Sequence, residues 1–160
     1  MITYPRKPIS LSLNSSDLLL HTQVDTAATL YQKSPDCFHL LLTEPPLPEA
    51  ASDSTHAIST VAQPRLLWLE ISPYRLIMTM QSNGNFSYRH WLERGIYGMS
   101  RYWLQDEALG QGGQIRLRNF TRNLQIDGDP LPTHLSVEYE LWANRVPMGR
   151  YELNLQIHHG

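Results

Sequence analysis

The sequence predicts an α+β fold: a curled antiparallel β-sheet of at least five strands with one main helix, at about residues 90–109, packed on a face. Three observations carry this expectation. Two matched segments, Leu135 to Ala143 and Arg150 to Ile157, alternate apolar and polar residues with the period of a half-buried strand. Asn83-Gly84, whose residues tolerate positive φ, sits between two more alternating runs and reads as a hairpin turn. Leu92, Ile96, Met99 and Trp103 fall on one stripe of a helix that Ala108-Leu109-Gly110 would end. If that helix is absent, the alternative is an all-β, barrel-like sheet.

At 160 residues the chain suits a single domain, 1–160. Residues 1–42 form an N-terminal arm docked on the sheet, with strands at Ile9–Leu13 and Phe38–Leu42 and a short helix between Asp25 and Gln32. Residues 43–64, with three prolines close together and little to bury, read as a flexible Pro/Ser-rich loop. Residues 65–160 form the main sheet body. Leu66 to Ile71 is a buried strand, and Tyr74, Leu76, Met78 and Met80 alternate through the next, with Phe86, Tyr88 and His90 on its return. From Ile115 to Ile126 the apolar positions change from odd to even, which a bulge near Arg118-Asn119 would reconcile. In the terminal hairpin, Val146-Pro147-Met148-Gly149 supplies a three-residue loop that pairs Val146 with Arg150 and sets Glu138 beside His158.

A net charge of −2 excludes a globally basic surface, so nucleic acid is a disfavoured partner. A single cysteine, Cys37, forms no intramolecular disulfide. No apolar run approaches the roughly 18 residues of a spanning helix, and no signal-peptide pattern opens the chain, so a cytoplasmic location is expected.

Glu138, Glu140 and His158 could run acid–base chemistry or begin a metal site, but the solvated face of a hairpin accounts for them better. Arg116, Arg118, Arg122, Arg145 and Arg150, near Phe120, could hold phosphate or single-stranded RNA, although Glu93, Asp106, Glu107, Asp127 and Glu152 can neutralise them. Cys37 and His39 point to opposite edges of one strand, a poor geometry for an activated thiol. Asp127-Gly128-Asp129 lacks the later ligands of a calcium loop. No phosphate loop, dinucleotide fingerprint, nucleophile elbow or zinc motif is spelled out.

The densest signal is aromatic. Tyr88, Trp91, Tyr97, Tyr102 and Trp103 are interleaved with Arg94 and Arg101, and one helix stripe cannot hide all of these rings. These seven residues are the expected binding surface of a non-catalytic accessory or assembly factor with a protein partner. No catalytic residue, metal or cofactor is assigned. The alternative function is a barrel that binds a small apolar ligand or chromophore, lined by Tyr74, Leu76, Met78 and Tyr139.

Overall fold

The computed structural model describes residues 2–15, 17–44, 65–81, 86–106 and 111–159; these form eleven β-strands and no helix. The strands are β1 (Ile2–Thr3), β2 (Lys7–Ser15), β3 (Leu20–Ser34), β4 (Cys37–Glu44), β5 (Arg65–Ser72), β6 (Arg75–Gln81), β7 (Phe86–Glu93), β8 (Tyr97–Asp106), β9 (Gln111–Asp127), β10 (His134–Ala143) and β11 (Val146–Ile157). Every strand from β2 to β11 pairs antiparallel with the next, and β11 returns to β2, so ten strands close a ring. The fold is an up-and-down β-barrel. β1 runs beside the far end of β3, with Ile2 opposite Gln32.

The expected helix at 90–109 does not exist, and the α+β class gives way to the all-β alternative. Leu92 is fully buried, but Ile96 and Met99 of the same supposed stripe are 47% and 41% exposed. The actual period is two: Tyr88, His90 and Leu92 face inward from β7, and Gly98, Ser100 and Tyr102 face inward from β8. Between the strands, Gly95 takes a φ of +80°, a conformation that disfavours a side chain, and turns the chain after Arg94. The short helix at Asp25–Gln32 is likewise strand, within β3. Asn83-Gly84, Ala108-Leu109-Gly110 and residues 45–64 lie outside the described residues, although β6 and β7 do pair as the hairpin expectation requires.

The terminal hairpin is real, but its register differs. Ala143 opposes Val146 and the chain turns at Asn144-Arg145, with Asn144 at a φ of +57°, which asparagine tolerates better than most residues. Gly149 and Pro147 then oppose Leu141 and Trp142, leaving Met148 in a bulge. Leu135 therefore faces Leu155 and Tyr139 faces Tyr151, while Glu138 meets Glu152 instead of His158. The bulge in β9 lies at Arg122, where the partner of Tyr139 is Thr121 and that of Glu138 is Asn123. Odd positions consequently point inward up to Thr121, and Asn119 is an interior residue.

The core fills the barrel. At the end closed by the connection from Asp127 to Thr133, Leu76, Leu92, Leu124, Leu135 and Leu155 are all buried. Gly128 makes this connection possible, because a Cβ there would lie 2.5 Å from the Leu131 carbonyl oxygen. The ring is sealed where Ile9, Leu11 and Leu13 of β2 oppose Ile157, Leu155 and Leu153 of β11. Toward the other end, β3 pairs with β4 only from Ala28 onward; among the described residues, its Leu20–Ala27 portion pairs with β2 alone.

Candidate functional site

Halfway along the barrel, on the wall formed by β7, β8 and β9, leucine gives way to polar side chains, while Leu42, Leu67 and Met80 keep the wall beside it buried as far as the level of Tyr88. His90, Ser100, Asn119 and Thr121 are buried there, on three neighbouring strands and on the inner face. Asn119 reaches across β8 to β7 because Gly98 stands between them: a Cβ on Gly98 would lie 2.3 Å from the Trp91 carbonyl oxygen and 2.8 Å from Asn119 Oδ1. The Asn119 amide donates to the Trp91 carbonyl at 3.0 Å and to Ser100 Oγ at 2.9 Å. A carbonyl can only accept, so the nitrogen of the amide is the atom facing Trp91 and Ser100.

Ser100 Oγ accepts from Asn119 and shares a second hydrogen bond, of 2.7 Å, with His90 Nδ1. Burial lowers the His90 pKa to about 4, so the ring is neutral at pH 7 and carries one proton. Nε2 faces the Tyr102 hydroxyl at 3.3 Å. Burial, with a smaller contribution from Tyr151, raises the Tyr102 pKa and keeps that hydroxyl protonated. A hydrogen-bond chain thus runs from Asn119 through Ser100 and His90 to Tyr102. Asn119 Oδ1 and Thr121 Oγ1 are buried with no protein partner, so the layer retains unfilled accepting and donating capacity. Ser100 and His90 form a Ser–His pair, but Ser100 is wholly buried, so an attacking geometry at a substrate carbonyl would require Asn119 to move.

Aromatic rings surround the chain's outer end. Tyr88 and Tyr102 approach the His90 ring edge-on, with centroids at 5.0 and 5.3 Å. Tyr139 lies 6.0 Å from His90 and stacks on Tyr151. Beyond them Phe86 contacts both Tyr88 and Tyr102. The strand register points Leu104 and Ile115 inward as well, yet they are 41% and 46% exposed. Among the described residues, these inward-pointing side chains in contact with solvent mark the end opposite the packed leucines as an aromatic mouth.

The seven residues expected to form one binding surface divide between two faces. Tyr88 and Tyr102 line the interior. Trp91, Tyr97, Arg101 and Trp103 lie on the outer face of β7 and β8, and Arg94 sits at the turn with its guanidinium over Tyr74. Of the residues expected to line a barrel pocket, Leu76, Met78 and Tyr139 are interior, whereas Tyr74 is 61% exposed in a turn. His90, Ser100 and Asn119 were not singled out as site residues by sequence; their signal was interior parity within strands whose neighbours are Tyr88, Tyr102 and Leu117.

The grouping of Glu138, Glu140 and His158 is removed by the register. Glu140 instead binds Arg122, Arg150 and Trp142 Nε1 on the outer face. Burial alone would raise its pKa, but the hydrogen bonds from Arg122 and Trp142 and the two arginine charges hold it below the ordinary carboxylate value. Among the described residues no group of three or more His, Cys, Asp or Glu side chains could hold a metal, and no helix is long and apolar enough to cross a membrane. The outer face carries arginine and the inner face leucine, opposite to the polarity of a lipid-facing barrel.

These features define a closed antiparallel barrel with a packed end, a polar middle layer and an aromatic mouth. Its fold is shared with a solved structure described as the crystal structure of ywiB protein from Bacillus subtilis, with a TM-score of 0.66 and 14% sequence identity over 99% of this chain and 95% of that one. At this identity the likeness shows the fold alone. No protein-family model and no curated protein matches the chain.

Proposed function

We propose that the protein is a binding barrel for a small, largely apolar molecule that carries a hydrogen-bond acceptor. The observation that carries this reading is the buried chain from Asn119 to Tyr102, which holds the Tyr102 hydroxyl among aromatic rings; with the His90 proton on Nε2 that hydroxyl keeps its own hydrogen to donate. Ligand sites are concave and mostly apolar, with a few polar groups that fix orientation. Here the rings of Phe86, Tyr88 and Tyr151 supply apolar surface, and the Tyr102 hydroxyl supplies direction. The accessory-factor reading is weakened by the division of its seven residues, two of which face inward.

Titration with the fluorescent probe 1-anilinonaphthalene-8-sulfonate tests the proposal, since the probe pairs an aromatic body with an accepting sulfonate. Saturable one-to-one enhancement is expected. Tyr102→Phe should weaken it by about five- to tenfold, the value of one hydrogen bond of about 1–1.5 kcal/mol. Leu117→Trp, which enlarges an interior side chain opposite Ser100, should abolish it. Equal enhancement by the wild type and Leu117→Trp would place the probe outside the barrel and defeat the reading.

A further inference from the structure

The outer face of β7, β8 and β9 carries an arrangement unrelated to the interior site. Arg89 is the cross-strand partner of Arg101, and Arg101 is the partner of Arg116. Three arginines thus stand in one row across three adjacent strands, spanning about 10 Å at the usual strand spacing. Like charges directly opposed in a sheet are destabilising, and the described residues do little to relieve them. Arg89 reaches Glu70 only at 4.0 Å, and the hydrogen bond from Arg116 goes to the neutral Gln114. The described outward carboxylates of these three strands are Glu93, which lies opposite Arg75, and Asp127 at the far end of β9, which lies opposite His134.

Rings and a thioether flank the row. Trp91 and Met99 are 37% and 41% exposed, and together with Arg89 and Arg101 they line a groove of about 300 Å³. Trp103 lies on the other side of the row, opposite Ser87 and Gln114. The Arg75 guanidinium lies over one face of the Trp91 ring, 4.8 Å from its centroid, which leaves the other face for stacking. Weakly paired guanidinium groups beside part-exposed rings match the two requirements of single-stranded nucleic acid binding: phosphates to pair with and bases to stack. An acidic peptide would satisfy the arginines but leave the rings unused.

We propose that this face binds single-stranded nucleic acid, with phosphates along Arg89, Arg101 and Arg116 and a base stacked at Trp91. The net charge of −2 does not oppose it, because the row is local: these arginines are far apart in sequence and only the barrel brings them together.

The test is fluorescence anisotropy of a labelled twelve-residue oligouridylate against the full chain over a salt series, with a labelled twelve-residue oligoglutamate as competitor class. Oligouridylate should bind, and its affinity should fall as salt rises. Arg101→Gln with Arg116→Gln should weaken binding at least tenfold and reduce the salt slope by about 1.4, the value for two lost single-strand phosphate contacts. Trp91→Leu should weaken binding without changing that slope. A thermal melt of the double variant no lower than that of the wild type shows that the fold is intact, as relief of like charges predicts. Absence of oligouridylate binding, an unchanged slope in an intact double variant, or equal binding of oligoglutamate each overturns the proposal, the last in favour of an acidic protein partner.

Discussion

At the packed end of the barrel, Leu76, Leu92, Leu124 and Leu135 meet across the interior; two residues farther along β7, the interior is instead His90, hydrogen-bonded to Ser100. The same strands supply both layers, so local strand propensity cannot account for the difference. What differs is how burial is compensated. Leucine gains from leaving water, about 25 cal/mol per Å² of apolar surface. The polar layer gains little on burial and is held by directed hydrogen bonds that a misplaced atom breaks. The packed end therefore secures the fold, and the polar layer holds a specific hydroxyl in place at some cost to stability.

The contrast can be broken from either side. Leu92→Ala at the packed end should cost about 4 kcal/mol in urea unfolding, from lost transfer energy and the cavity left behind; a loss below about 1 kcal/mol would mean that this end is not the anchor. Next comes pH. His90 has a folded pKa of about 4 against an ordinary 6.5, so the unfolded chain binds the additional proton. Its contribution is fully present above pH 6.5 and is lost as pH falls toward 4, about 3 kcal/mol in all. The slope of stability against pH in that window should flatten in His90→Gln, and an NMR titration placing the His90 midpoint near 6.5 would refute the assignment.

Gly98→Ala should cost about 2 kcal/mol, since its methyl group would displace Asn119 or the Trp91 carbonyl. Hydrogen exchange should then quicken at β7 and β8 before it does at β10. The smallest effect belongs to the mouth. Ile115 is 46% exposed although it points inward, so Ile115→Ala should change stability by less than about 1 kcal/mol while altering probe binding.

Sequence made some of this architecture legible and hid the rest for identifiable reasons. Strands with an apolar residue on every second position, such as Leu135 to Leu141 and Leu153 to Ile157, announce their inner face without help from context. β7 and β8 do not, because their inner positions include histidine, serine and glycine, and Leu92, Ile96, Met99 and Trp103 happen to match a helical spacing. The same cause moved the bulge. Phe120 shares the even parity of Leu124 and Ile126, so the sequence places the phase change at Arg118-Asn119, whereas the chain keeps both Asn119 and Thr121 inside and shifts at Arg122. Gly149 was given the turn that Asn144 makes, because Pro147 and Gly149 suit a turn and a bulge equally well. The arginine row was beyond reach, since it depends on the register of three strands at once.

The seam between β2 and β11 has a consequence for how the barrel forms. Leu13 and Leu153 are direct partners although 153 − 13 = 140 positions separate them along the chain. All other joints in the ring connect consecutive strands and can form locally, whereas this one must wait for nearly the whole chain to be synthesised. Until β11 arrives, β2 and β10 each present a bare edge to other chains. High contact order of this kind slows folding and lengthens exposure to misassembly. Shortening the chain before Val146 should therefore yield aggregation, not a smaller barrel.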